Sequence, residues 1–413
     1  MPPVDSAPSA FPSTQPQSGA RNAAVLSVCQ GLFTAALAID LTLTGLTGYQ
    51  LAPDKSLATL PFALITVAGA VVTLFASLLM QRIGRRWGFV LGALMGAGGG
   101  LVSAWSVFHA NFWSFCAGTA AVGVFQAFAQ YYRLAAADAV PVAAKARAIS
   151  TVLLGGVAAA VLGPALAAWS KDLFLPVLFA GSYLIVCVLG LLSALLLALG
   201  YRDMPIADTG TGADALPARP TLTVMLQPIS LAAIANNVVG GTVMMLVMTA
   251  APLAAVACSH TINDGANIIQ WHLVGMYAPS LFAGRLTKRF GLPALLFTGM
   301  ALSAACALIA VASTSLWAFY AALFCLGVGW NFMFVGGTTL LAESYRPSER
   351  ARVQGVAEMI RYAATAVASL VAGAVLQRFG WQNLNLAVLP LVLLAFAMTL
   401  VWVRRPLPGA AAA

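Results

Sequence analysis

Long apolar runs separated by short polar or basic turns set the pattern of this chain. A helical run of about twenty apolar residues matches the roughly 30 Å hydrocarbon core of a bilayer. Such runs fall at 23–48, 57–80, 88–108, 112–134, 148–169 and 174–199, and again at 227–250, 267–287, 292–312, 317–341, 353–376 and 384–403. Within lipid each backbone amide must be paired inside its own segment or in a closed barrel. These runs are uniformly apolar and do not alternate, so they predict about twelve transmembrane helices and no barrel strands. The chain accordingly divides into a tail at 1–22, a six-helix bundle at 23–200, a linker at 201–226, a second six-helix bundle at 227–403 and a tail at 404–413. The first tail is rich in Pro, Ser, Ala and Gln and has no basic start or apolar core, which suits a disordered segment and not a cleaved signal.

The turns repeat. Ser77-Leu78-Leu79-Met80-Gln81-Arg82-Ile83-Gly84-Arg85-Arg86 closes one apolar run, and Gly284-Arg285-Leu286-Thr287-Lys288-Arg289-Phe290-Gly291 closes another about half a chain later. Ala137-Asp138, followed by Pro141, Lys145 and Arg147, recurs as Ala342-Glu343, followed by Pro347, Arg350 and Arg352. Two signatures at nearly one offset predict a duplicated architecture of two pseudo-symmetric bundles.

Composition agrees with the pattern. The 413 residues are 61% hydrophobic and 8% charged, against about 25% charged in a soluble domain. The net charge of +9 does not point to nucleic acid, because the basic residues sit in turns between apolar runs. With a cytoplasmic N-terminus, only Lys55, Lys171 and Arg378 fall outside, while Arg82, Arg85, Arg86, Lys145, Arg147, Arg202, Arg219, Arg285, Lys288, Arg289, Arg346, Arg350, Arg352, Arg404 and Arg405 fall inside. This asymmetry predicts a multi-pass protein of the cell (inner) membrane with both termini cytoplasmic. The six cysteines stand singly in or beside different runs, which predicts packing and neither metal nor disulfide.

The basic turn resembles the signature between helices 2 and 3 of the major facilitator superfamily of secondary transporters, Gly-x-Leu-Ala-Asp-Arg-x-Gly-Arg-Lys. Leu79, Arg82, Gly84, Arg85 and Arg86 match it, with Ser77 in place of the first Gly and Gln81 in place of the Asp. The resemblance extends from the first run to the last. It implies two rocking bundles around a cavity lined by helices 1, 4, 7 and 10. It also implies a cytoplasmic latch between Arg85 and Asp138, echoed by Lys288 or Arg289 with Glu343. Gln81 and Lys288 replace the acid of the family pattern and weaken the expected grip on the start of helix 11. Gly163-Pro164 resembles the core of a family antiporter motif, with Ala159, Ala167 and Ala168 where Gly is usual.

Ionisable and amide side chains inside apolar runs are costly and mark candidate sites. In the first run Gln30, Thr34, Asp40, Thr44 and Thr47 are expected near one helix face, with Asp40 either a proton or cation site or a packing hydrogen-bond partner. The fourth run carries Gln126, Gln130 and Arg133. Arg133 either meets an anionic group in the cavity or snorkels to the interface. Asn236 and Asn237 precede Gly240-Gly241, and Trp330-Asn331 precede Phe334. His272 is either a packed donor or a proton site. Glu358 and Arg361, spaced i, i+3, can neutralise each other.

Motifs of hydrolases, zinc enzymes and phosphate-binding loops are absent from the sequence, so no enzyme activity or cofactor is expected. The expectation is a monomeric secondary active transporter of a small organic solute with aromatic and hydrogen-bonding character. Proton coupling would run through Asp40, His272 or Glu358. The alternative is an uncoupled facilitator, or an uptake carrier for a metabolite or vitamin-like aromatic in place of a drug exporter.

Overall fold

A computed structural model describes residues 15–140, 145–203 and 219–404. The first half contains α1 (Gln15–Leu51), α2 (Leu60–Ile83), α3 (Arg85–Phe108), α4 (Phe112–Ala129), α5 (Tyr132–Asp138), α6 (Lys145–Ser170) and α7 (Ala180–Gly200). The second contains α8 (Thr221–Met225), α9 (Pro228–Ala257), α10 (Ile262–Tyr277), α11 (Ser280–Phe290), α12 (Leu292–Ala312), α13 (Leu316–Ser344), α14 (Arg350–Leu386) and α15 (Val388–Val403).

Among the described residues, 10 helical stretches are long and apolar enough to cross a bilayer. The last, Arg352–Val403, has 52 residues and holds two passes, because Gly380 interrupts the helix at φ 77, ψ 172. The pass expected at 267–287 is split into α10 and α11, each too short to span alone. Pro279 lies at the split, where its missing N–H cannot continue the ladder. Counting the last stretch as two passes and the α10–α11 pair as one accounts for the expected twelve.

The fourth pass is likewise interrupted, with α4 ending at Ala129 and α5 starting at Tyr132. The Tyr131 hydroxyl, in the gap, donates to the Thr73 carbonyl at 3.1 Å and ties the interruption to α2. The tail expected to be disordered through residue 22 is helical from Gln15. Asn22 explains part of this extension, since its amide exchanges two hydrogen bonds with the Arg202 backbone beyond α7. Residues 204–218 of the linker and 405–413 of the final tail lie outside the described residues.

The two halves repeat one packing scheme. In the first, α1 packs on α6 and α7 while α4 packs on α2 and α3. In the second, α9 packs on α14 and α15 while α13 packs on α10 and α12. The turns repeat as well: Gly84 (φ 83, ψ 156) joins α2 to α3, and Gly291 (φ 83, ψ 161) joins α11 to α12. A side chain at that φ is strained, so a one-residue reversal here calls for glycine.

Contacts between the halves run through α6 with α10 and α2 with α14. Toward the end opposite the basic turns, Gly373 N–H donates to the Thr59 hydroxyl at 3.0 Å. On the same side, a methyl at Gly45 would meet Leu253 at 3.6 Å. These contacts hold the two halves together on the side away from the basic turns.

Candidate substrate cavity

A cleft of about 540 Å³, part of it open to solvent, lies between the two halves. Thr34, Leu37, Ala38 and Leu41 of α1 line it as one stripe with helical spacing. Phe62 and Thr66 of α2 and Gln126 of α4 complete that side. Gln126 lies over Gly69, where a methyl would come within 3.4 Å of its amide carbon.

The facing wall is built differently. Met244, Met245 and Met248 of α9 meet Leu273 and Met276 of α10, with Tyr277 at its end. Methionine is flexible and polarizable and makes favourable contacts with aromatic rings, so this wall suits the face of a flat ligand. Thr34, Thr66, Gln126 and the Tyr277 hydroxyl supply the hydrogen bonds. No charged residue lines the cavity among the described residues.

The α10–α11 break is held from α13. Asn331 Nδ2 donates to the Met276 carbonyl at 2.7 Å and to the Ser280 hydroxyl at 2.5 Å. Asn331 therefore fixes the backbone that carries Met276 and Tyr277 into the cavity. Next to it, Trp330 packs against the apolar cluster formed by the cavity walls and stacks on Phe334, with ring centroids 5.0 Å apart and planes 9° apart.

The expected polar stripe of α1 is divided between two surroundings. Thr34 faces the cavity, whereas Asp40 is fully buried beside α7. Thr44 donates to Asp40 Oδ1 at 3.2 Å and lies 3.2 Å from the Tyr183 hydroxyl, which donates to Thr47 at 3.0 Å. Asp40 Oδ2 has no hydrogen-bond partner. The division arises because residues 34 and 41 lie on one helix face, while 40, 44 and 47 lie on the adjacent one.

Other candidates occupy distinct places. Asn236 is buried against α15, donating to Ala232 and to Thr399, each at 2.8 Å. Asn237 packs against Gly337, where a methyl would lie 2.7 Å from its Oδ1. His272 is buried, with Nδ1 2.8 Å from the Leu323 carbonyl. A carbonyl can only accept, so Nδ1 carries the hydrogen, and Nε2 has no partner. Gln130 is half-buried at the end of α4, and Arg133 is exposed on α5. Arg361 donates to Glu358 Oε2 through Nε at 2.9 Å and Nη2 at 2.5 Å.

At the basic end Gln81 and Arg82 are exposed and Arg85 is half-buried. The side chain of Asp138, the acid expected opposite Arg85, lies outside the described residues. Lys288, Arg289 and Glu343 are exposed. Among the described residues no salt bridge joins either base to Glu343, and Arg289 lies over the Phe290 ring at 5.2 Å. Among the described residues, Asp203 and Glu349 are acids that engage this end. Asp203 Oδ1 accepts from Arg86 N–H at 3.0 Å, at the start of α3. Glu349 pairs with Arg219 at 2.8 Å.

The methionine wall, Thr66 and Tyr277 were not singled out from the sequence. The available signal was three methionines within five residues on the helix that carries Asn236 and Asn237.

Comparison with known proteins agrees with this architecture. The Major Facilitator Superfamily profile matches residues 24–257 and 237–413. The chain is 39% identical over 378 residues to the riboflavin transporter RfnT of Brucella anthropi, covering 91% of this chain and 94% of that one. It is 28% identical over 399 residues to the uncharacterized MFS-type transporter YdeG of Bacillus subtilis, covering 92% and 91%. Two solved structures share the fold. A point mutant of the nucleoside transporter NupG has a TM-score of 0.67 at 16% identity, over 92% of this chain and 100% of that one. A bacterial homologue of the lysosomal transporter Spinster, inward-facing and unoccupied, has a TM-score of 0.68 at 15% identity, over 97% and 100%. With twelve passes in two repeated halves, a cavity between them and a profile match over both halves, the chain belongs to the major facilitator superfamily of membrane transporters.

Proposed function

We propose that this transporter carries riboflavin, or a flavin close to it, into the cell. The observation that carries the reading is the 39% identity to a riboflavin transporter over 91% of the chain. The cavity chemistry supports it. Riboflavin is neutral, with a flat ring system that is apolar at one edge and an amide-like edge at the other, and a polyhydroxylated tail. The methionine wall suits the ring face. Gln126 can both donate and accept, as the polar edge requires, and Thr34, Thr66 and Tyr277 offer hydroxyls. The absence of charge in the described lining suits a neutral ligand.

The charge asymmetry of the loops supports a cytoplasmic position for the basic turns, and the contacts between the halves on the opposite side favour a cavity that opens inward. This would be the state that releases imported ligand. Proton coupling is a second element of the proposal, favoured by the unpartnered Oδ2 of buried Asp40. Intramembrane acids without a cation partner commonly serve proton or ion movement. Uptake of labelled riboflavin into proteoliposomes containing only this protein tests the reading. Saturable uptake, blocked by unlabelled riboflavin, is expected.

A further inference from the structure

Between the methionine wall and the basic end, the second half presents a run of aromatic and charged side chains. Trp330 packs against the cavity cluster and stacks on Phe334, the next residue along that face of α13. The Arg361 guanidinium of α14 lies 5.6 Å from the Phe334 ring and 4.2 Å from the Tyr362 ring. Helix α9 packs against both α13 and α14. Arg361 crosses it at Gly241, where a methyl would lie 3.7 Å from Arg361 Cγ. Glu358 sits one turn nearer the basic end. Its side chain is 43% exposed, against 15% for Arg361.

A solvent-reachable arginine flanked by aromatic rings is, on its own, a receptor for phosphate or carboxylate. Glu358 changes that. It occupies Nε and Nη2 of Arg361, cancels the guanidinium charge and repels an approaching anion. Both hydrogen bonds end on Oε2, which leaves Oε1 to accept from a hydroxyl, while Tyr362 also engages the guanidinium. Such a pair is matched to a hydroxyl on a neutral ligand.

We propose that Glu358 and Arg361 form a selectivity element on the ligand's path: they take the hydroxylated tail of a neutral planar aromatic and reject its phosphate ester. This rests on the flavin reading above and adds the residues that choose between riboflavin and riboflavin 5′-phosphate. Removing the Glu358 charge converts the element into an anion site.

The test is titration of the purified full chain with each flavin, read by quenching of flavin fluorescence. Wild type should favour riboflavin over its phosphate by at least about tenfold. Glu358→Gln should shrink that ratio by about tenfold, chiefly by tighter phosphate binding, and adding Arg361→Gln should reverse the gain. Glu358→Asp, which keeps the charge, should retain the wild-type preference. An unchanged ratio in Glu358→Gln protein that still binds riboflavin overturns the inference and leaves the flavin reading standing. Loss of riboflavin binding in both Glu358 variants also overturns it, since the pair would then serve only to hold α14. Wild-type protein that quenches neither flavin overturns the flavin reading and this inference together.

Discussion

Asp40 combines full burial with one carboxylate oxygen that no donor meets. Its other oxygen takes a hydrogen bond from Thr44 within a hydroxyl chain that continues to Tyr183 and Thr47. Replacing it by asparagine keeps the size and an acceptor for Thr44 while removing the site for a proton. Asp40→Asn should therefore fold, bind riboflavin, and lose the dependence of uptake on an imposed pH gradient. Wild-type protein with no such dependence, or a variant that keeps it, would assign Asp40 to packing. The sequence made Asp40 conspicuous because an acid stood among Leu and Thr. It could not place the side chain, because residues 40 and 41 lie about 100° apart on a helix and only Leu41 reaches the cavity. The methionines stayed inconspicuous for the opposite reason: apolar side chains in an apolar run look alike until their surroundings are known.

Helices and turns were the most legible level. Runs of membrane length fix where a helix crosses, and the repeated turns at Gly84 and Gly291 adopt nearly the same backbone angles. The interruptions were less legible. Pro279 gives a local reason for the α10–α11 break, but the donor that holds it, Asn331, is 55 residues along the chain from the Met276 carbonyl it meets. The α4–α5 break likewise depends on a contact from Tyr131 to α2. At Gly84 the local geometry is decisive. Gly84→Ala should destabilise the protein by about 1–3 kcal/mol, the usual strain at such a φ, and its new methyl would lie 2.7 Å from Asp203 Oδ2. A lowered melting temperature in detergent is the expected readout, and an unchanged one would show that the turn relaxes freely.

Across the whole molecule, the linker is fastened near both of its described ends. Asp203 holds the first half at the start of α3. Arg219 donates from its backbone at 2.7 Å and from Nε and Nη2 at 2.8 Å each to Glu349, just before α14. The Arg219 side chain, aided by the backbone N–H groups of Arg346 and Arg219, holds the Glu349 carboxyl well below the usual carboxylate range. A depressed pKa stabilises the fold fully above the unfolded value of about 4.3 and loses that contribution as pH falls through the folded value. The melting-temperature gap between wild type and Glu349→Gln should therefore be constant across neutral pH, narrow as pH falls below the unfolded value and close in strong acid. A gap that changes near neutrality would contradict this pairing.

The two-bundle architecture and its repeat could be read from the chain, whereas the ligand could not, because a lining of apolar side chains and a few neutral hydrogen-bonding groups names no substrate. The most direct measurement of the central claim is uptake of labelled riboflavin into proteoliposomes containing this protein alone. Saturable uptake that unlabelled riboflavin abolishes is the expected result. Uptake no faster than in protein-free vesicles, from a folded and correctly inserted preparation, would contradict it.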